Sequence, residues 1–377
     1  MKYKRFLHWG PLIATFIIST LSFICIYINI YYFPLFASAK NIFLTALLLL
    51  WTFLIFSNFL SCIFIGPGLV PLEWNKKNKN NIEYLQWCNF CKGYKPPRAH
   101  HCRRCQRCVM KMDHHCPWIN TCVGHFNQKY FIYFLISAVL GCLHSSVLLI
   151  YTLYLIIKNP YAFYLFRHTE FYVYLLHLFT IGLSIGVVLF VSILCYFQLK
   201  AVLYNTTEIE DWIIKKILRF GNERNSFKNP FDLGVKKNLK QFFGLDHTNI
   251  ILDGMNWPVR DGCTLYSLSI EQKKLKQFKE ECSILYVCKH DYNANLFSLR
   301  FGILTFLNVP CTSEPRLYLR KNDTVQTTRW KKYWLYGKKL NSMGQKTADK
   351  TESLVVQQSD NKAKGWFPRN LVKLKEL

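Results

Sequence analysis

Four stretches of this chain contain no Asp, Glu, Lys or Arg: Phe6 to Ala39, Asn41 to Leu72, Phe131 to Ile157 and Val173 to Leu199. Each leaves room for an apolar helix of about 20 residues, the length that crosses a bilayer. One such stretch is compatible with the buried helix of a soluble domain; four of them in 377 residues point to a polytopic α-helical membrane protein with four spans. Lys2, Lys4 and Arg5 before the first stretch, and Ala37-Ser38-Ala39 after it, have the outline of a signal peptide. The apolar region is too long for one, so it is read as an uncleaved anchor.

Lys and Arg orient the bundle. Three precede the first span, Lys40 alone separates the first two, eleven lie from Glu73 to Tyr130, two from Lys158 to Tyr172 and 31 from Lys200 onward. Forty-five of 48 therefore fall on one face, and the positive-inside rule places that face, with both termini, in the cytosol. The net charge of +26 belongs to this face; membrane lipids account for it, and no nucleic-acid partner is expected. His144 and His177, inside the third and fourth spans, are read as neutral packing, with a hydrogen bond to a neighbouring helix as the alternative. The sequons at Asn205 and Asn322 stay unmodified on the cytosolic side.

Between Cys88 and Cys122, in the loop joining the second and third spans, lie seven cysteines and four histidines. Cys-x2-Cys pairs bring two thiolates to one tetrahedral ion, and Cys88-Cys91 and Cys102-Cys105 are two such pairs. Two ions need eight ligands, so four more come from His100, His101, Cys108, His114, His115, Cys116 and Cys122, with three left over. Spacing alone does not choose among them. A disulfide framework is disfavoured by the odd number of cysteines and by the reducing cytosol.

The order Cys88-x2-Cys91, Lys95-Pro96-Pro97-Arg98, His101-Cys102-x2-Cys105-x2-Cys108-x4-Asp113-His114-His115-Cys116-x5-Cys122-x4-Asn127-x3-Phe131 closely resembles the cysteine-rich domain of DHHC-type protein S-acyltransferases. The resemblance implies that Cys88, Cys91, His101 and Cys108 hold one structural zinc ion and Cys102, Cys105, His115 and Cys122 a second. Asp113, His114 and Cys116 are then free to act as orienting group, base and nucleophile. His100 and His125 receive no role.

The family implies a two-step transfer, in which Cys116 takes a long-chain acyl group from acyl-coenzyme A, palmitoyl-CoA above all. The group then passes to cytosolic cysteines of membrane-associated proteins. From Tyr84 to Phe131 eight basic residues face one acid, and the excess is available to the phosphates of coenzyme A. The family also implies that Gly141, on the third span, sits near the far end of the acyl cavity and leaves it open to chains longer than palmitoyl.

Weaker resemblances flank the bundle. Gly66-Pro67-Gly68 stands where the family has Asp-Pro-Gly, and Thr207-Glu208-Ile209-Glu210 approximates Thr-Thr-x-Glu, with Glu208 replacing a threonine. From Ile209, apolar residues recur at helical spacing up to Phe220, as in a helix lying in the interface or packed on a core. Phe231-Asp232-Leu233-Gly234 and Asn238 resemble the family's C-terminal motif, whose asparagine supports the active-site fold.

Residues 282–377 change character. Strands are expected at Ser283 to Val287, Gly302 to Leu307 and Lys332 to Tyr336, with a polar insertion from Leu340 to Lys362. Leu285-Tyr286, Asp291-Tyr292, Trp334 and Gly365 to Val372 resemble a Src-homology-3 small β-barrel. Tyr286, Tyr292, Trp334 and Pro368 are candidates for a groove binding a peptide or protein partner. Four spans plus this barrel resemble the endoplasmic-reticulum subgroup of the family. Lys373 and Lys375 add a Lys-x-Lys-x-x pattern suited to retrieval to that membrane.

The expected organisation is thus residues 1–72 (N-tail and spans one and two), 73–130 (zinc-binding cysteine-rich domain), 131–199 (spans three and four), 200–281 (membrane-associated tail) and 282–377 (Src-homology-3-like domain). The expected function is protein S-palmitoyltransferase. The rival reading is a non-catalytic membrane zinc-binding adaptor recruiting partners through the barrel; a RING-type ubiquitin ligase fits less well, because its ligand spacing leaves no free Asp-His-Cys set. Modification of Cys263, Cys282, Cys288 or Cys311 is not legible.

Overall fold

The computed structural model describes residues 2–72, 74, 81–158, 171–220, 227–245, 253–294, 299–312, 314–340 and 364–375. The chain forms two compact units, Met1–Leu268 and Ser269–Leu377. The expected insertion from Leu340 to Lys362 lies almost wholly outside the described residues.

In the first unit the uncharged stretches form α1 (Trp9–Tyr32), α2 (Ala39–Ile65), α3 (Gln128–Lys158) and α4 (Phe171–Leu203). All four are long and apolar enough to cross a membrane. Their ends carry the usual stop signals. Ser38 Oγ accepts the Asn41 N–H at the start of α2, and Gly66, at φ 75°, ends that helix.

Hydrocarbon offers no water to polar side chains, and several of those within the spans find protein partners. Asn29 Nδ2 of α1 donates to Thr45 Oγ1 of α2 at 2.9 Å. His177 of α4, expected to be packing, lies 3.0 Å from the Leu149 carbonyl and 3.3 Å from Thr152 Oγ1, so it hydrogen-bonds α3. His144 keeps the packing role, its Nδ1 buried without a hydrogen-bond partner.

Between α2 and α3 the chain makes three short antiparallel hairpins: β1 (Gln86–Cys88) with β2 (Gly93–Lys95), β3 (His100–Cys102) with β4 (Arg107–Val109), and β5 (His114–Cys116) with β6 (Thr121–Val123). Hairpins this small bury too little apolar surface to stand alone. The Gly66-Pro67-Gly68 segment ties them to the helices: the Met110 amide donates to the Gly68 carbonyl, and the Val70 amide to that of Cys108, both at 3.0 Å. After α4 come α5 (Glu208–Phe220) and α6 (Val235–Phe243). Ile213 and Ile217 of α5 are buried, while Trp212 and Phe220 remain exposed.

The second unit begins within α7 (Ser267–Glu281) and contains an open five-stranded antiparallel sheet in the order β10-β9-β8-β7-β11. Its strands are β7 (Ile284–Cys288), β8 (Thr324–Trp330), β9 (Trp334–Leu340), β10 (Lys364–Pro368) and β11 (Val372–Leu374). The expected barrel is therefore not closed. Leu317, Leu319, Val325, Leu335, Phe367 and Leu371 build its core.

Two local expectations are corrected. Gly302 to Leu307 is not a strand: Gly302, at φ 98°, starts the helical turn α8 (Ile303–Leu307). An apolar run this short has no period that distinguishes helix from strand. Tyr292 and Trp334 do not line an open groove. They are 2% and 3% exposed, and the Trp334 indole donates to the Thr305 carbonyl of α8 at 3.0 Å. An aromatic ring with one polar atom is well suited to such a core position when that atom finds a partner.

Candidate active site

Side chains alternate between the two faces of a strand. That periodicity explains how metal ligands and a free thiol can be consecutive residues. On β3, His101 joins Cys88, Cys91 and Cys108, and the next residue, Cys102, joins Cys105, His115 and Cys122. On β5, His115 turns to the second cluster, and its neighbours His114 and Cys116 share the opposite face. Both four-residue clusters match the expected ligand sets.

The two clusters fit zinc. Bond lengths of a tetrahedral Cys3His site imply about 3.6 Å between S and N and about 3.8 Å between two S atoms. Around His101 Nδ1 the three sulfurs lie at 3.5, 3.3 and 3.9 Å, and around His115 Nδ1 at 3.6, 3.5 and 3.7 Å. Cys105 and Cys122 sulfurs are 3.6 Å apart. With four protein ligands each, a zinc ion in either cluster would have no open position.

Superposing the registers of the three hairpins exposes a 14-residue repeat. Cys88, Cys102 and Cys116 end the first strand of each, paired with Gly93, Arg107 and Thr121. Four residues further on, Lys92, Gln106 and Asn120 take the same left-handed turn, at φ 49°, 55° and 46°. The position of the second thiol is Cys91, then Cys105, then Ile119, which is fully buried. The third hairpin thus repeats the knuckle geometry without a second thiol, and Cys116 is the cysteine of this loop that joins neither four-residue cluster.

Cys116 is 5% exposed, packed among Phe59, Ile63, Ile119, Phe131 and Leu135. His114 Nδ1 lies 2.8 Å from Asp113 Oδ2, so Nδ1 donates to the carboxylate and Nε2 is the nitrogen left to exchange a proton with Cys116. Burial works against a charged His114, but its bonds to Asp113 and Cys116 outweigh that and push the imidazole up to about 10. Asp113 itself is 2% exposed. Burial opposes its charge, and the hydrogen bonds from His114, the Glu208 amide and Gln198 hold it below the ordinary carboxylate value.

Those last two donors were not legible beforehand. Gln198 Nε2 of α4 reaches Asp113 Oδ2 at 2.8 Å, and the Glu208 backbone amide reaches Oδ1 at 2.6 Å. The departure from Thr at Glu208 is therefore harmless to this contact, which uses no side chain. Thr207 and Glu210 form a capping box: Thr207 Oγ1 accepts the Glu210 amide at 3.2 Å, and Glu210 Oε2 accepts the Thr207 amide at 2.9 Å.

Glu210 also receives Arg98 Nε at 2.7 Å and an Arg98 terminal nitrogen at 2.8 Å, both side chains fully buried. Arg98 further donates to Asn205 Oδ1 and to its carbonyl, and its guanidinium lies between the rings of Phe231 and Trp257. Asn238 Nδ2 caps the Leu203 carbonyl at the end of α4, at 2.8 Å. The zinc loops, the end of α4 and the start of α5 are thereby one hydrogen-bonded body behind Asp113.

Cys116 opens into an apolar cavity of about 420 Å³ between the spans, lined among others by Phe131, Leu135, Gly141, Trp51 and Cys25. From Phe131 to Ser145, another lining residue, α3 rises about 20 Å. That is the reach of a long acyl tail. Gly141 does line it, and the reason for glycine is close packing: an added Cβ would stand 3.1 Å from Trp51 Cβ. Trp51, on α2, was not foreseen. Of the unassigned histidines, His125 packs edge-on to Trp257 at 5.1 Å, and neither it nor His100 joins a ligand cluster.

A family model described as DHHC palmitoyltransferase matches residues 81–215. Palmitoyltransferase ZDHHC6 of Bos taurus is 38% identical over 401 aligned positions, covering 98% of this chain and 91% of that protein. Palmitoyltransferase ZDHHC6 of Danio rerio is 39% identical over 98% and 92% of the two chains. Palmitoyltransferase ZDHHC15 of Xenopus laevis is 33% identical over 41% of this chain.

Proposed function

The chain belongs to the DHHC palmitoyltransferase family and is a protein S-palmitoyltransferase, and on that premise we propose that Cys116 is its acyl carrier. The observation that carries this reading is the pairing of one metal-free thiol with an Asp113–His114 dyad at the mouth of an apolar cavity. Palmitoyl-CoA is the donor. His114 takes the Cys116 proton, and the thiolate attacks the thioester carbonyl. The C–S bond to coenzyme A breaks, and the departing thiolate recovers the proton from His114. A substrate cysteine then loses its proton to His114, attacks the acyl group and frees Cys116.

Asp113 orients the imidazole and stabilises its charged form, as in other triads. The eight cysteine and histidine ligands would hold two structural zinc ions, whose binding energy keeps the three hairpins folded. No catalytic step passes through them. Substrates are membrane-associated proteins with cytosolic cysteines, because the nucleophile lies beside the first turn of α3, at the bilayer surface. This reading places both termini in the cytosol, supported by the Lys and Arg distribution.

We place the enzyme in the endoplasmic reticulum, supported by Lys373 and Lys375. Unchanged distribution of a Lys373→Ser, Lys375→Ser variant would remove that support. The C-terminal sheet is read as a docking module for a protein partner, supported by its Src-homology-3-like ending. With Tyr292 and Trp334 buried, the partner would use other residues.

The test is acyl loading followed by transfer. Purified protein incubated with labelled palmitoyl-CoA is expected to gain one hydroxylamine-labile acyl group and to pass it to an acceptor peptide after the free donor is removed. Retention of the label on the enzyme in the presence of acceptor would contradict the two-step route.

A further inference from the structure

A second cavity, of about 270 Å³, shares no lining residue with the acyl cavity. It lies where α3 begins and α4 ends, lined by Gln128 and Lys129 of α3, Val202 of α4, Gln241 and Phe242 of α6, and by Lys111, His125 and Trp257. No acidic residue is among its walls. Three buried side-chain atoms here lack any hydrogen-bond partner: Gln128 Nε2, Gln241 Nε2 and Trp257 Nε1. Their residues are 4%, 8% and 6% exposed. All three atoms are donors.

At Gln241 the donor facing is built in and does not depend on which way the amide is drawn. Arg98 has no acceptor to offer, so the Asn205 atom it touches must be Oδ1. Asn205 Nδ2 then donates to Gln241 Oε1 at 2.8 Å, which leaves Gln241 only its NH2 end for the cavity. A buried donor without an acceptor is destabilising, and three of them on residues that line one cavity, beside two lysines, describe a site suited to an anion. Burial and the nearby Arg98 also lower the Lys111 ammonium to about 7, against the pull of Glu210 and Asp113, a cost that an anion offsets.

We propose that this cavity binds a phosphate group, supplied by the headgroup of a membrane lipid at the ends of α3 and α4. Basic pockets between spans at the cytosolic surface hold anionic headgroups in this way. The volume admits a headgroup and excludes a second acyl chain. Bound there, the phosphate joins α3, α4 and α6 behind the Arg98 network.

The test uses the full-length protein in phosphatidylcholine nanodiscs, with and without phosphatidic acid, and inorganic phosphate as the soluble competitor. Native mass spectrometry is expected to show one retained phosphatidic acid per chain. Trp257→Phe and Lys111→Met each remove one donor to a charged group and are expected to weaken retention about tenfold. Exposed Lys129→Gln weakens it about threefold and leaves the fold untouched. Palmitoyl loading of Cys116 within twofold of the parent shows that a variant is folded, and its failure in all proteins alike would concern the catalytic reading alone.

Displacement of the lipid only by large phosphate excess supports the headgroup; equal affinity for inorganic phosphate makes free phosphate the occupant of the same site. If Lys129→Gln and the other loading-competent variants retain phosphatidic acid as the parent does, or if phosphatidylcholine is retained equally well, the proposal is overturned.

Discussion

Removing Arg98 leaves Glu210 as a lone charge in a sealed interior. Both side chains are fully buried, and they meet through two bonds of 2.7 and 2.8 Å. Opposite charges about 4 Å apart attract by about 4 kcal/mol at an effective dielectric of 20. Truncating one partner of a buried pair costs about 3–5 kcal/mol, because the survivor's charge stays desolvated. Glu210 keeps one acceptor contact, the Thr207 amide, which argues for the lower end. Arg98→Met is therefore expected to destabilise the first unit by about 3 kcal/mol. Neutralising the survivor separates charge from shape: Glu210→Gln still accepts from Thr207, so the double variant Arg98→Met, Glu210→Gln is expected to recover about half of the loss. The assay is the thermal midpoint of zinc release from the full-length protein in nanodiscs. A single variant as stable as the parent, or a double variant no better than the single, would refute the argument that an orphaned charge dominates the cost.

Other expectations follow from the same contacts. Proline suits the first turn of a helix but has no N–H, so Glu208→Pro should preserve α5, delete only the bond to Asp113 Oδ1 and slow palmitoyl loading about tenfold, whereas Glu208→Thr should load like the parent. Gly141→Tyr must displace Trp51 and should shift donor preference to shorter acyl-CoA chains, while Trp51→Ala should extend it; identical chain-length profiles would contradict the cavity assignment. Cys105→Ser should lower zinc content from two ions per chain toward one and abolish loading through loss of the hairpins, a result read by metal analysis alongside hydrogen exchange over residues 100–123.

Much of this was written in the chain before any coordinates. Uncharged runs translate directly into spans, because hydrocarbon tolerates little else. The ligand sets were assignable because Cys-x2-Cys pairs impose a local turn and the family resemblance divided what remained. The 14-residue repeat was present too, yet the third copy hides it by replacing the thiol with Ile119. What was not legible depends on contacts between distant segments. Gln198 is one polar residue near the end of an apolar helix, and only the fold brings it to Asp113, 85 positions earlier. Trp51 looks like any membrane aromatic until α2 meets Gly141. Gly302 to Leu307 was misread as strand, since four apolar residues and a threonine after a glycine satisfy either period. Tyr292 and Trp334 were assigned to a surface because the pattern that identifies such a sheet does not report what Phe301 and α8 cover.

A zinc knuckle missing one thiol offers a simple physical route to a nucleophile. The hairpin geometry that would present Cys116 to a metal presents it instead to His114 and to the cavity, held by two neighbouring hairpins whose clusters remain complete. On the proposed reading the ligand sets would supply rigidity and the dyad reactivity, so the two demands would fall on different residues of the same strand.

The central claim is that Cys116 is the one sulfur of the cysteine-rich loop that carries acyl groups and no metal. Intact mass spectrometry of the palmitoyl-CoA-treated protein, native and then denatured with peptide mapping, tests it in one sample. Two zinc ions per chain together with one acyl group on Cys116, and two zinc ions with no acyl group in Cys116→Ser, is the predicted result. Acyl groups on Cys88, Cys102 or Cys122, or loss of zinc in Cys116→Ser, would contradict it.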